Sequence, residues 1–132
     1  MKQSALLEFR SSAFAIEPGE DEHTNPGIFG KALASWLAEQ LQKQGIAVGA
    51  VIAEDFGWCV PIQNRPPRLY VACTNGEDGA AHWRVFAFAE GGLLRRIVGN
   101  DKSAEVLAAL YAALKRILEG SPEIQELRET KS

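Results

Sequence analysis

Four short apolar or alternating runs dominate the middle of the chain: Ile46 to Ala53, Trp58 to Gln63, Leu69 to Thr74 and His82 to Ala89. What constrains the fold most is how little separates them. The separators Glu54-Asp55-Phe56-Gly57, Asn64-Arg65-Pro66-Pro67 and Asn75-Gly76-Glu77-Asp78-Gly79 are short and rich in turn residues. A parallel pair needs a crossover of about a dozen residues or more, usually a helix. Neighbouring strands must therefore run antiparallel.

The flanks have other periods. Leu7, Phe9, Ala13 and Ala15 alternate within Ser4 to Ile16, which predicts a strand with a bulge near Ser11-Ser12. Glu17 to Asn25 reads as an acidic loop, and Asn25-Pro26 predicts an N-cap and first helical residue. Phe29, Ala32, Leu33, Trp36, Leu37 and Leu41 then form one helical stripe that Gly45 ends. After a Gly91-Gly92 break and an extra strand at Leu93 to Val98, Asp101 or Ser103 caps a second helix. Its face is Val106, Leu107, Leu110, Leu114, Ile117 and Leu118, and Gly120 closes it. The expected class is α+β in the order β-α-β-β-β-β-α, an antiparallel sheet with two amphipathic helices on one face and a TATA-binding-protein-like topology. With 132 residues in all, residues 1-120 are read as a single domain and 121-132 as a short C-terminal helix or polar tail.

Because side chains alternate across a strand, each turn phases its two strands. The turns place Ala53 opposite Trp58, Val51 and Val71 opposite Val60, Ile62 opposite Leu69, and Cys73 opposite Trp58; they also set Trp83 against Cys73 and Val85 against Val71. One face then holds Val51, Trp58, Val60, Ile62, Leu69, Val71, Cys73, Trp83 and Val85. The other holds Val48, Ile52, Cys59, Pro61, Tyr70, Ala72, His82, Arg84, Phe86 and Phe88, which is too apolar for a solvated sheet face. Two helices blanket one side only. The second side calls for a second copy, a ligand or peptide, or the segment after Gly120; the competing reading is a register one residue off, or a sheet curved enough to split its cover.

Charge excludes several classes of partner. Fourteen basic residues against 17 acidic ones give a net charge of −3, with no concentrated basic stretch of the kind that tracks phosphates. Nucleic acid is not an expected partner. No run approaches the roughly 18 apolar residues of a membrane span, and Glu8 and Arg10 interrupt the N-terminus too early for a secretion signal. Two cysteines, Cys59 and Cys73, point to opposite faces and should not bridge. Both read as small buried hydrophobes, the sharper alternative being a reactive Cys59 near His82. The expected setting is a cytoplasmic one.

Motifs that would carry chemistry are sparse. Glu17, Glu20, Asp21, Glu22 and His23 supply cation ligands without the spacing of a calcium loop or the set of a zinc site, so a solvated run near the positive end of the first helix is the stronger reading. Glu54 and Asp55 with Trp58 form a turn site, either an ordinary tight turn with Trp58 in the core or a small recognition site beside exposed aromatics. No phosphate-cradling glycine motif and no nucleophile elbow occurs, no cofactor is called for, and Arg95-Arg96 reads as solvated.

Thr24-Asn25-Pro26-Gly27-Ile28-Phe29-Gly30 followed by Glu54-Asp55-Phe56-Gly57-Trp58-Cys59-Val60 resembles a family of small bacterial proteins with no assigned function. In that family the turn usually reads Glu-Asp-Trp-Gly-Trp, so Phe56 departs from it while keeping an aromatic. The resemblance implies a bacterial cytosolic protein and brings no reaction or catalytic residue. The functional expectation is a non-enzymatic binding or adaptor domain that uses Val48, Ile52, Tyr70, His82, Arg84, Phe86 and Phe88 for homodimerisation or a protein partner. The alternative is a small-molecule binder or enzyme with a pocket between sheet and loops, using His82, Arg84, Glu54 and Asp55.

Overall fold

The computed structural model describes residues 2–62, 68–76, 81–89 and 103–131. The turns expected at 64–67 and 77–79, the Gly91-Gly92 break, the strand Leu93 to Val98, the Arg95-Arg96 pair and the Asp101 cap lie outside them. Alternation brings the N-terminal segment into the sheet in two pieces, β1 (Lys2–Gln3) and β2 (Leu6–Arg10), both antiparallel to β6 (His82–Ala89). Gln3 faces Phe88 and Leu7 faces Val85, so one residue is extra on the N-terminal side. The bulge therefore lies at Ser4-Ala5, not at Ser11-Ser12. Ser4 fills it by donating its N–H to the Ala87 carbonyl at 2.8 Å and accepting the Ala87 N–H on its hydroxyl at 2.9 Å. The strand stops at Arg10 because the buried Ser11 turns the chain: its hydroxyl accepts the Ala13 N–H at 3.1 Å, and its carbonyl accepts Trp83 Nε1 at 3.2 Å.

The meander follows as β3 (Ile52–Glu54), β4 (Gly57–Ile62), β5 (Leu69–Asn75) and β6. With β7 (Gln125–Thr130) it makes a seven-stranded antiparallel sheet of order β3-β4-β5-β6-β2-β7, with β1 beside β6. Residues 125 to 130 are thus a strand rather than a helix or tail, and the expected order lacked it. The polar sequence hid it. An edge strand needs only backbone partners and one apolar contact, and here Leu127 alone leans on the core while β2 gains a neighbour.

Among the described residues, two α-helices cover one face. Helix α1 (Lys31–Lys43) packs across β4 and β5, and α2 (Ser103–Glu119) across β6 and β1. The expected stripe holds in α1, where Leu33, Ala34, Leu37 and Leu41 are buried, and Gly45 terminates it through Ile46 N–H donating to the Leu41 carbonyl at 3.0 Å. In α2 the stripe is Leu107, Leu110, Ala113, Leu114, Ile117 and Leu118; Val106 faces outward. The start of α1 differs from expectation by about a turn and a half. Asn25-Pro26-Gly27-Ile28 is a β-turn closed by Ile28 N–H to the Asn25 carbonyl at 3.0 Å, with Gly27 at φ 82°. Proline second and glycine third are the signature of a type II turn, and that reading of Asn-Pro-Gly outcompetes the helix cap.

The predicted registers hold within β3/β4 and β4/β5: Ala53 faces Trp58, and Trp58, Val60 and Ile62 face Cys73, Val71 and Leu69. Between β5 and β6 the register is displaced by two residues, Cys73 facing Val85 and Val71 facing Ala87. A shift of two preserves the faces. Every residue assigned to the first face is consequently in the core or packed against it.

Candidate binding face

The side of the sheet away from the helices divides into three parts. Its centre is a second apolar cluster in which Cys59, Ala72 and Phe88 are buried and Tyr70 and Phe86 half-buried. Tyr70 and Phe88 stack with ring centroids 5.2 Å apart, and Phe86 lies 6.0 Å from Phe88. Phe56 completes it, 6.0 Å from Phe88 and 6.5 Å from Phe86, and stays 44% exposed.

Phe56 reaches that cluster because of its neighbours. The turn Glu54-Asp55-Phe56-Gly57-Trp58 sends Phe56 toward Phe86 and Phe88, while Trp58 enters the core on the other side, 6% exposed. Gly57, at φ 154°, has no room for a Cβ, which would sit 2.5 Å from the Cys73 carbonyl oxygen. Only glycine fits there. Of the two readings of the Glu54, Asp55 and Trp58 turn site, the tight turn with Trp58 in the core is the one observed; Lys31 Nζ lies 5.5 Å above the Trp58 ring and His23 is edge-on at 6.3 Å.

One flank of the face is acidic and the other carries guanidinium groups. Ile52 faces Cys59, so Ile52 and Glu54 lie on this side at the β3 edge, both exposed. At the opposite edge Glu8 is the hub, with only 9% of its side chain exposed. Its Oε2 lies 3.3 Å from His82 Nε2 and 3.3 Å from Arg128 Nη2, and its Oε1 lies 3.8 Å from Arg84 Nε. Arg10 pairs with Glu126 at 3.8 Å beside them. A small cavity of about 250 Å³ opens there, lined by Phe9, Arg10, His82, Glu126, Leu127 and Arg128.

Of the residues expected on this face, Ile52, Tyr70, His82, Arg84, Phe86 and Phe88 are there, and Val48 is not. Val48 bridges Ile62 and Ile52 faces Cys59, so the segment holds one extra residue at Gly49-Ala50 and Val48 turns to the core. His82 is buried against Glu8 rather than presented outward. Nor do His82 and Arg84 meet Glu54 and Asp55, as a shared pocket would require. Strands β4 and β5 stand between them, a gap of roughly 14 Å at the usual strand spacing.

The sequence reading missed Glu8, Arg128 and Phe56 as members. Glu8 was legible, since it stands between Leu7 and Phe9, both of them core residues, and so had to point to the other face. Arg128 was not, because its strand was unseen.

The cysteines do not support thiol chemistry. Burial, and secondarily the Glu54 carboxylate, pushes the Cys59 thiol up to about 12; burial also pushes Cys73 up, with Cys59 adding to it. Neither forms a reactive thiolate near neutrality, and β5 separates Cys59 from the strand of His82. The acidic loop has a structural task. The buried Glu20 carboxylate accepts the Gly30 and Lys31 N–H groups at 2.7 and 3.0 Å through Oε2, and the Glu17 N–H at 3.0 Å through Oε1. It caps α1 and neutralises the positive end of its dipole. Asp21 accepts the Gly27 N–H at 2.8 Å, and Asn75 bridges to the Phe29 N–H and the Gly27 carbonyl. With Asn25 N–H donating to the Asp55 carbonyl at 2.9 Å, the segments 24–30 and 54–58 become neighbours in space.

No family model, no curated protein and no solved structure matches the chain. The likeness of its two motifs to small bacterial proteins therefore rests on those residues alone. Among the described residues no group of His, Cys, Asp and Glu is arranged to hold a metal ion, and no helix is long and apolar enough to cross a membrane.

Proposed function

We propose that the protein is a non-enzymatic binding domain, acting in a reducing bacterial cytoplasm, that docks a protein surface on the aromatic side of its sheet. One observation carries this reading: Phe56, 44% exposed, and Ile52, 37% exposed, cap a cluster with half-buried Tyr70 and Phe86 around a buried base. Aromatic anchors around a desolvated centre with a charged rim are the composition of protein interfaces. The two unpaired, buried cysteines accord with a reducing compartment. The buried thiols of Cys59 and Cys73, held protonated near neutrality, argue against a cysteine nucleophile.

Site-specific photocrosslinking tests it. A benzophenone side chain at Phe56 should give a protein adduct in cells, and the same group at the exposed Ser35 on the helical side should not. Equal yields from the two positions would overturn the reading. In the adduct-forming background, Phe86→Asp or Tyr70→Asp should abolish the adduct while far-ultraviolet circular dichroism stays that of the parent.

A further inference from the structure

We infer that the occupant of this face is a second copy of the chain, related by a two-fold axis that runs parallel to the strands over the gap between β5 and β6. The inference rests on the proposed docking role and adds the partner and its orientation. It follows from the registers. Across the face, one row reads Glu54, Gly57, Thr74, Arg84, Glu8, Arg128, and the next reads Ile52, Cys59, Ala72, Phe86, Leu6, Thr130. The first row begins on a carboxylate and ends on a guanidinium, five strand spacings or about 24 Å apart. The second is apolar from Ile52 through Leu6.

A face-to-face dimer has its two-fold axis in the interface plane, and the same patch serves both copies. With the axis along the strands, each row of one copy lies over the same row of the other in reverse order. Glu54 of each copy then meets Arg128 of the other. Phe86 meets the small Ala72, so a large side chain enters the space left by a small one. Both end residues are exposed, Arg128 keeping 66% of its side chain in solvent beside its bond to Glu8. Among the described residues this edge gathers the guanidinium groups of Arg10, Arg84 and Arg128 around Glu8 and Glu126. An axis across the strands would instead lay the charged row over the row of Pro61, Tyr70, Phe88 and Gln3, leaving its ends unpaired.

The area is sufficient for a reversible dimer. A face six strands wide and about six residues long covers roughly 600 Å² per copy, near the lower limit of about 1,000 Å² in total for a specific interface. The dimer should accordingly dissociate on dilution.

Sedimentation equilibrium on the purified full chain, from about 1 to 500 µM, should show a mass rising to twice that of the monomer. Glu54→Arg and Arg128→Glu should each weaken self-association at least about tenfold, since each sets like charges against one another at both symmetric contacts. Mixing the two variants should restore dimers, because each mixed pair then opposes Arg to Glu at both contacts. If Arg128→Glu, which also faces Glu8, fails to fold, salt decides with Glu54→Arg alone: added salt should strengthen its association while weakening that of the parent chain. A strict monomer throughout, unaffected association in the charge variants, or a mixture no tighter than its components would overturn the inference. A monomer whose Phe56 crosslinks a different protein, or a dimer abolished by Phe86→Asp but indifferent to the charge variants, would leave the docking face standing and remove this arrangement. Absence of both dimer and adduct would remove the two together.

Discussion

The same strands present two faces, and the two are built on different terms. On the helical side Val60, Val71, Val85 and Trp83 are almost wholly buried beneath α1 and α2. On the other side a buried base of Cys59, Ala72 and Phe88 carries a partly exposed roof of Phe56, Tyr70 and Phe86. Among the described residues, the first face is closed by other elements and the second by its own side chains. A self-roofed face leaves aromatic surface in water, which is the physical reason for reading it as a docking surface.

The contrast can be tested by stability, beginning with the largest effect. Trp83→Ala empties the closed face and removes the bond from Nε1 to the Ser11 carbonyl, and should cost about 3 to 5 kcal/mol in urea unfolding. If it costs no more than a change on the roof, the distinction fails. Gly57→Ala, at the residue that directs Phe56 to one face and Trp58 to the other, should cost on the order of 1 to 3 kcal/mol and raise the solvent accessibility of Trp58 by fluorescence quenching. Glu8→Ala removes the carboxylate shared by His82, Arg84 and Arg128 and should cost about 1 to 3 kcal/mol, reduced by the exposure of Arg128. Phe56→Ala should cost under about 1 kcal/mol, since the ring is half in water, while its effect on association is large.

The base of the roof adds a pH test. Because folding raises the Cys59 thiol from 9.0 to about 12, the folded state keeps a proton that the unfolded chain releases. The associated stability is whole below pH 9.0 and is lost as pH rises toward about 12. Cys59→Ala should flatten the alkaline limb of the urea midpoint against pH, leaving the share of Cys73. An unchanged limb would show that the base of the roof is wet.

How legible was each part? The stripes Leu33-Leu37-Leu41 and Leu107-Leu110-Leu114 followed from period alone, because one apolar face of a helix has one way to be hidden. The face assignments of β4, β5 and β6 survived even a displaced register, because a shift of two residues conserves parity. Val48 was misplaced because one extra residue at Gly49-Ala50 reverses parity, and nothing in that pattern marks which glycine absorbs it. The start of α1 was misread because Asn-Pro-Gly serves both a helix cap and a type II turn. The capping group, Glu20, lies ten residues before Gly30, beyond any local signal.

By itself the sequence determined the antiparallel meander, the two helices and the sorting of side chains between faces. Those depend on turn length and on periods of two and 3.6 residues, which act over a few neighbours. Only the tertiary structure decided that Gln125 to Thr130 joins as an edge strand, that Phe56 lies against Phe86 and Phe88, and that Glu8 gathers His82, Arg84 and Arg128. These are meetings of residues as many as 120 positions apart, set by which strand finds which edge, and no local pattern carries that choice.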